Sequence, residues 1–412
     1  MRNLSKIFTL LQKRTRPRRK RTLIVMPVVA ACILAVTILW RIANPLQSPQ
    51  SAPPAAIELA SSSAVTQFQL RLQRNPEDLQ AYALLGQALL HQVRESGDSS
   101  LYARADNAFT EALDRDPDYL DALIGKGILA AALHDFEDAI EWAQRAQAIN
   151  PWRAETLGIL VDAYVELGRY DEAVEITQQM VDLRPSLDSY SRVSYIRELY
   201  GDIDGAKESM QAAVDAGVPG TEPVLWSQIQ LANLYLSQDD FANAEQLYQA
   251  TLMARPDYLY GKAGLANLAI KQGDYAAAVE ILEPVTTQLP LPEFIIKLAD
   301  AYEAMGMTEE AEAERDLVRI IQQLNEDAGM NMDLELAAFE VEYGPDPEAS
   351  LELAQSAYDR QPTIFAADTL AWALYKNGQY EEAKQYSDEA LRLGTKDPLL
   401  YEHAAEIEKA LQ

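Results

Sequence analysis

At 412 residues and 48% hydrophobic side chains, the chain is long enough for two or three domains or for one extended array, and most of it can fold. The formal charge of −28 is unevenly spread: ten of the 35 basic residues fall in residues 1–41, which hold no acidic residue, so residues 42–412 carry 25 basic against 63 acidic groups. Such a body repels nucleic acid and anionic lipid, which argues against a phosphate-binding role. Its lack of cysteine (Cys32 stands alone near the N-terminus) leaves no means for a disulfide framework, a zinc cluster or a thiol nucleophile.

The N-terminus sets the expected address. Residues 1–21 form a basic tail, and Thr22 to Trp40 form an uncharged apolar run. As a helix that run spans roughly 28 Å, enough for a thin bilayer core. Nine basic residues precede it and only Arg41 follows closely. The positive-inside rule therefore predicts a single pass through the cytoplasmic membrane, with the N-terminus in the cytoplasm and the acidic body outside. Two alternatives compete. Val29-Ala30-Ala31-Cys32 is similar to the lipobox at which bacterial lipoproteins are lipidated, although "ILAVTILW" continues the apolar run past it. Cleaved export is the other, with Ala43 at −1 but an unfavourable Arg41 at −3. Residues 41–63, with Pro45, Pro49, Pro53 and Pro54, read as an extended linker.

From residue 64 onward one phrase recurs. "GQYEEA" ends at Ala383, "GRYDEA" at Ala173, "GDYAAA" at Ala278, "GMTEEA" at Ala311 and "GDIDGA" at Ala206. "HDFEDA" at Ala139 and "DDFANA" at Ala244 keep the aromatic without the glycine. With Ala105 and Ser350 these positions are spaced by 34, 34, 33, 38, 34, 33, 39 and 33 residues, and Pro117, Pro151, Pro185, Pro256 and Pro290 keep the same beat. Leu157, Leu160 and Tyr164 supply an apolar stripe on a first helix. A glycine such as Gly168 ends that helix, the alanine admits a second helix closely, and the proline stops it.

This pattern resembles the tetratricopeptide repeat, a helix–turn–helix unit of 34 residues. The resemblance implies an all-α, right-handed superhelical solenoid of about nine helix pairs with terminal capping helices, preceded by one N-terminal transmembrane helix. Repeats are expected to end near residues 117, 151, 185, 218, 256, 290, 325, 362 and 395, with a C-terminal cap at 397–412. The "AWALYK" and "ALRLGTKDPLLYEHA" segments are also similar to a family of membrane-anchored bacterial repeat proteins.

No catalytic constellation, cofactor site or metal site is found in the sequence. His91, His134 and His403 are far apart in the repeat frame. Gly125-Lys126-Gly127 fits part of a dinucleotide pattern, but no strand precedes it, and "GDIDGAK" lacks the spacing and hydroxyl of a P-loop. The expected activity is binding rather than catalysis.

The resemblance places a partner groove along the first helices. It assigns Asp162, Tyr195, Asn233, Asn267, Asp300 and Trp372 to the ninth place of their repeats and Trp226 and Tyr260 to the second. Asn233 and Asn267 resemble the asparagines with which some repeats of this kind hold a peptide backbone, an amide being both donor and acceptor. The expected function is a non-catalytic, membrane-tethered scaffold that binds a protein or extended peptide and no nucleic acid. The alternatives are a self-associating spacer, hence a homo-oligomer, or an accessory subunit of an envelope enzyme or assembly machine.

Overall fold

The computed structural model describes residues 61–412; the expected basic tail, transmembrane helix and most of the linker lie outside the described residues. Among the described residues there are twenty helices and no strand, and none of the helices is long and apolar enough to cross a membrane. Nine successive pairs are α2 (Leu79–Ser96) and α3 (Leu101–Arg115), α4 (Leu120–Ala132) and α5 (Phe136–Ile149), α6 (Ala154–Glu166) and α7 (Tyr170–Leu183), α8 (Leu187–Leu199) and α9 (Ile203–Ala216), α10 (Glu222–Leu236) and α11 (Phe241–Ala254), α12 (Leu259–Lys271) and α13 (Tyr275–Gln288), α14 (Pro292–Ala304) and α15 (Thr308–Asp327), α16 (Asp333–Tyr343) and α17 (Pro347–Arg360), and α18 (Ile364–Lys376) and α19 (Tyr380–Ala390). A lone helix α1 (Ser61–Arg74) precedes them and α20 (Pro398–Ala410) follows.

Each pair is built by the same local physics. In every pair but the eighth, where Gly344 is extended at φ −71°, the first helix ends on a residue in the left-handed region: φ is +69° at Gly168, +74° at Gly201, +78° at Gly273 and +74° at Gly378. Where the sequence lacks the glycine, His134 and Asp239 take that conformation themselves, at φ 58° and 57°. The next residue is often aspartate, and Asp135, Asp202, Asp240 and Asp274 each accept a backbone N–H of the second helix. Such a cap stabilises a helix by about 1 kcal/mol.

The recurring alanine sits where the two helices touch. All eight, from Ala105 to Ala383, have no exposed surface. Ser350 replaces the ninth without leaving its hydroxyl unpaired: Oγ donates to the Glu340 and Asp346 carbonyls at 2.8 and 2.9 Å. Between pairs, an aromatic of the second helix seats on a glycine of the next first helix. Phe109 lies against Gly125 and Tyr248 against Gly264, and a Cβ at either glycine would enter the ring. Gly125 is therefore a packing seat for Phe109.

Within the unit Ala64–Gln412 the array does more than stack neighbours. Corners of the early pairs touch the turns between later pairs. Gly97 lies against Leu289, Pro290 and Leu291, Gly168 against the Pro362 carbonyl, and Gly201 against the Gly394 carbonyl. Asn331 N–H donates to the Leu133 carbonyl at 2.9 Å, and the His134 imidazole bonds the Asn331 carbonyl at 3.1 Å across 197 residues. Ile364 N–H donates to the Tyr170 hydroxyl at 3.0 Å across 194 residues, with the Arg392 guanidinium over the same ring. These separations amount to just under six 34-residue repeats. Successive turns of the coil therefore meet along a seam at a constant register.

The seam makes a discriminating prediction. Gly273→Ala and Gly378→Ala meet open space and bear only the cost of a left-handed alanine, about 1 kcal/mol. Gly168→Ala and Gly201→Ala bear that cost and also drive a Cβ into a backbone carbonyl of the next turn. Thermal melts of the four variants are expected to show at least about twice the loss at residues 168 and 201. Equal losses at all four would mean that the turns do not touch.

Candidate partner-binding groove

The first helices α6, α8, α10, α12, α14 and α18 carry the residues that the sequence assigns to the groove. Four of those eight residues, Asp162, Tyr260, Asp300 and Trp372, are tied to a neighbouring first helix. Arg153 at the start of α6 reaches Asp121 of α4 at 2.9 Å. Arg192 of α8 forms a two-pronged pair with Asp162 of α6 at 2.8 and 2.6 Å. Tyr260 of α12 meets Phe294 of α14 edge-on at 5.7 Å. The Tyr343 hydroxyl of α16 donates to Asp300 of α14 at 2.9 Å. Trp372 of α18 is stacked between Tyr375 and His403, at 4.6 and 4.1 Å, while its Nε1–H donates to Glu342 of α16 at 3.0 Å. His403 in turn pairs with Asp368 at 2.8 Å. These links join α4 to α6, α6 to α8, α12 to α14, α14 to α16 and α16 to α18.

The two asparagines differ. Asn233 is engaged within its own pair: the fully buried Tyr248 donates its hydroxyl to Asn233 Oδ1 at 2.6 Å. Asn267 has a buried Oδ1 with no hydrogen-bond partner. Tyr195 and Trp226, about two-fifths exposed, have no polar partner among the described residues. Burial, reinforced by the charges of Glu166 and Glu198, holds the Tyr195 phenol well above its ordinary range, so it remains a neutral donor. Burial pushes Tyr260 up to about 12.

Three groups that the ninth and second places do not include also stand out. Lys297 of α14 forms no ion pair among the described residues, and burial lowers its ammonium pKa against the opposing charge of Glu293. Burial pushes Glu166 up to about 7, helped by Glu335 and Asp162 and opposed by His134. Burial also pushes Glu198 up to about 7, helped by Asp397. Glu166 ends α6 and Glu198 is the last residue but one of α8, and both face groups of the next turn across the seam. They were legible only as acidic residues in the last turn of a helix, a place where the helix dipole disfavours them.

His134 completes the seam chemistry. It lies 3.2 Å from Glu335 and stacks on Phe136. Burial lowers its pKa, but Glu335, Glu166 and the Asn331 carbonyl together raise it above the ordinary value. A histidine with a raised folded pKa contributes stability that is full below its unfolded value and lost as pH rises through the folded one. A carboxylate with a raised folded pKa adds a cost that is absent below about 4.5 and complete above about 7. The signs agree, so the array is expected to melt higher at about pH 5.5 than at about pH 8. Glu166→Gln and Glu198→Gln should each raise the melting temperature at the higher pH by about 2–4 °C, the effect of roughly 1 kcal/mol in a chain of this size, and change little at the lower. An unaltered pH slope in the double variant would remove these groups from the seam.

Tetratricopeptide-repeat profiles match residues 94–152, 130–192, 235–294 and 366–396. No curated protein matches the sequence. Among solved structures, the human IFIT1 dimer with m7Gppp-AAAA is 15% identical, covering 81% of this chain and 77% of that one at a TM-score of 0.51. The human IFIT1 dimer with PPP-AAAA is 16% identical, with coverages of 81% and 78% and a TM-score of 0.50. The APC/C hetero-tetramer Cut9–Hcn1 is 13% identical, with coverages of 86% and 67% and a TM-score of 0.51. At such identities the likeness is one of fold. The buried alanines, the left-handed corners and these profile matches lead to one conclusion: the chain is a tetratricopeptide-repeat protein.

Proposed function

We propose that the protein is a non-catalytic scaffold that holds an extended polypeptide segment along the first helices of its four central pairs. One observation carries this reading. Tyr195 on α8, Trp226 on α10, Asn267 on α12 and Lys297 on α14 bring a phenol, an indole, a half-buried amide and an ammonium with no ion pair among the described residues to consecutive first helices. On either side the equivalent positions are already committed, by Asp162–Arg192 at one end and by Asp300–Tyr343 and Glu342–Trp372 at the other. An extended segment brings backbone donors for the amide, apolar side chains for the rings and a carbonyl or carboxylate for the ammonium. Glu166 and Glu198 beside Tyr195 favour a basic residue at that end.

The human IFIT1 structures were solved with PPP-AAAA and m7Gppp-AAAA. The 63 acidic against 25 basic groups of residues 42–412 disfavour such a polyphosphate here. The apolar run Thr22–Trp40, after nine basic residues, supports a tether to the cytoplasmic membrane with the repeats outside.

The test is crosslinking in intact cells followed by recovery of the full chain and mass spectrometry. Asn233→Ala is a poor probe, because it strips the partner from the buried Tyr248 hydroxyl and costs about 1–3 kcal/mol of stability by itself. Trp226→Ala with Asn267→Ala leaves no such orphan. The double variant should keep wild-type helicity and melting while losing at least about tenfold in recovery of a partner that the wild type captures. Equal recovery from both would take the partner away from this groove.

A further inference from the structure

The seam has two kinds of edge, and each exists in a second, uncovered copy. Its upper edge is the corner within a pair. Gly97, Gly168 and Gly201 of the first turn have the next turn against them, whereas Gly273, Gly306 and Gly378 have nothing within 4 Å of a Cβ built on them. Tyr170, which follows such a corner by two residues, is 6% exposed and accepts the Ile364 N–H. Its counterparts Tyr275 and Tyr380 are only half-buried, and no hydrogen bond reaches their hydroxyls among the described residues.

The lower edge is the turn between pairs. Where the seam covers it, Thr363 and Thr395 are 3% and 4% exposed. The residues at the same two repeat positions in the first turn are Trp152 and Val218, which are 76% and 68% exposed. A tryptophan at three-quarters exposure adds large apolar area to an edge that the protein itself knows how to cover.

We infer that the seam continues between molecules: the uncovered turns of one chain, at Trp152 and Val218, dock on the uncovered corners of a second copy, at Gly273, Gly306 and Gly378. The occupant follows from the geometry, because one coil already fits its own lower edge on its own upper edge at a fixed register. The contact is head-to-tail. It leaves one free edge of each kind at the ends of every complex, so assembly is open-ended rather than closed. Both partners carry the same excess of acidic groups, so salt that screens this repulsion favours assembly. This inference is independent of what the groove binds.

The experiment is sedimentation velocity on the full-length chain in one detergent, from about 1 to about 100 µM and at about 0.05 and 0.5 M salt. Three samples are compared with the wild type: Trp152→Ser on the lower edge, Met305→Lys beside Gly306 on the upper edge, and their equimolar mixture. Circular dichroism and melting confirm that both variants fold. The wild type should grow in mass with concentration without a limiting dimer, and more so at high salt. Each variant alone should need at least about tenfold more protein to associate. The mixture should stop at a one-to-one complex, because each variant supplies the edge that the other lacks. A wild type that stays monomeric, a fixed dimer, a loss from only one substitution, or a mixture that behaves as the sum of its parts would each overturn the proposal.

Discussion

The structure depends on a backbone corner that, in every pair but the eighth, where Gly344 is extended, turns left-handed between the two helices. That conformation fixes how the second helix returns against the first, and the buried alanine sets how closely it does so. A corner that is glycine also has no side chain to hold another element away. This second property lets Gly168 and Gly201 accept carbonyl groups from the next turn. One local requirement thus serves two levels of structure: the hairpin within a repeat and the seam between turns.

Much of the fold was legible because a repeat writes the same physics many times. A recurring alanine, mostly 33 or 34 residues from the last, marks the helix contact, and all eight are buried without remainder. Even the copies that break the pattern keep its conformation, since His134 and Asp239 adopt the corner dihedral that glycine would have taken. The seam was not legible. It joins residues 194 or 197 positions apart, and no single repeat carries a mark that distinguishes a covered corner from an open one. "GRYDEA" and "GDYAAA" look alike, yet one has Pro362 against its glycine and the other has nothing.

The groove shows the same division. Periodicity names the ninth and second places of each repeat, but it does not say which of those side chains are already engaged. Trp372 is enclosed by Tyr375 and His403 because the closing helix lies beside α18, an end effect that the repeat pattern does not contain. Asn233 and Asn267 share a place in the repeat and differ in state, because Tyr248 reaches the first and no hydroxyl reaches the second. Lys297, Glu166 and Glu198 lie outside the named places altogether. Their significance comes from missing partners and from burial, which are properties of neighbours rather than of spacing.

A coil whose turns touch does not behave as a plain stack. In an open solenoid each repeat answers only to its neighbours, and stability is close to a sum of nearest-neighbour contributions. Here the third pair also answers to the turn between the eighth and ninth pairs, through Gly168 with Pro362 and Tyr170 with Ile364. Unwinding one end therefore removes contacts in the middle, which raises cooperativity along the array. The same coupling reaches the groove. Glu166 and Glu198 feel both Tyr195 on the candidate groove face and the groups of the next turn, Glu335 at Glu166 and Asp397 at Glu198. A cation placed beside Tyr195 would favour the charged form of these buried carboxylates, and by linkage any effect on the seam would act on that cation's binding by the same free energy.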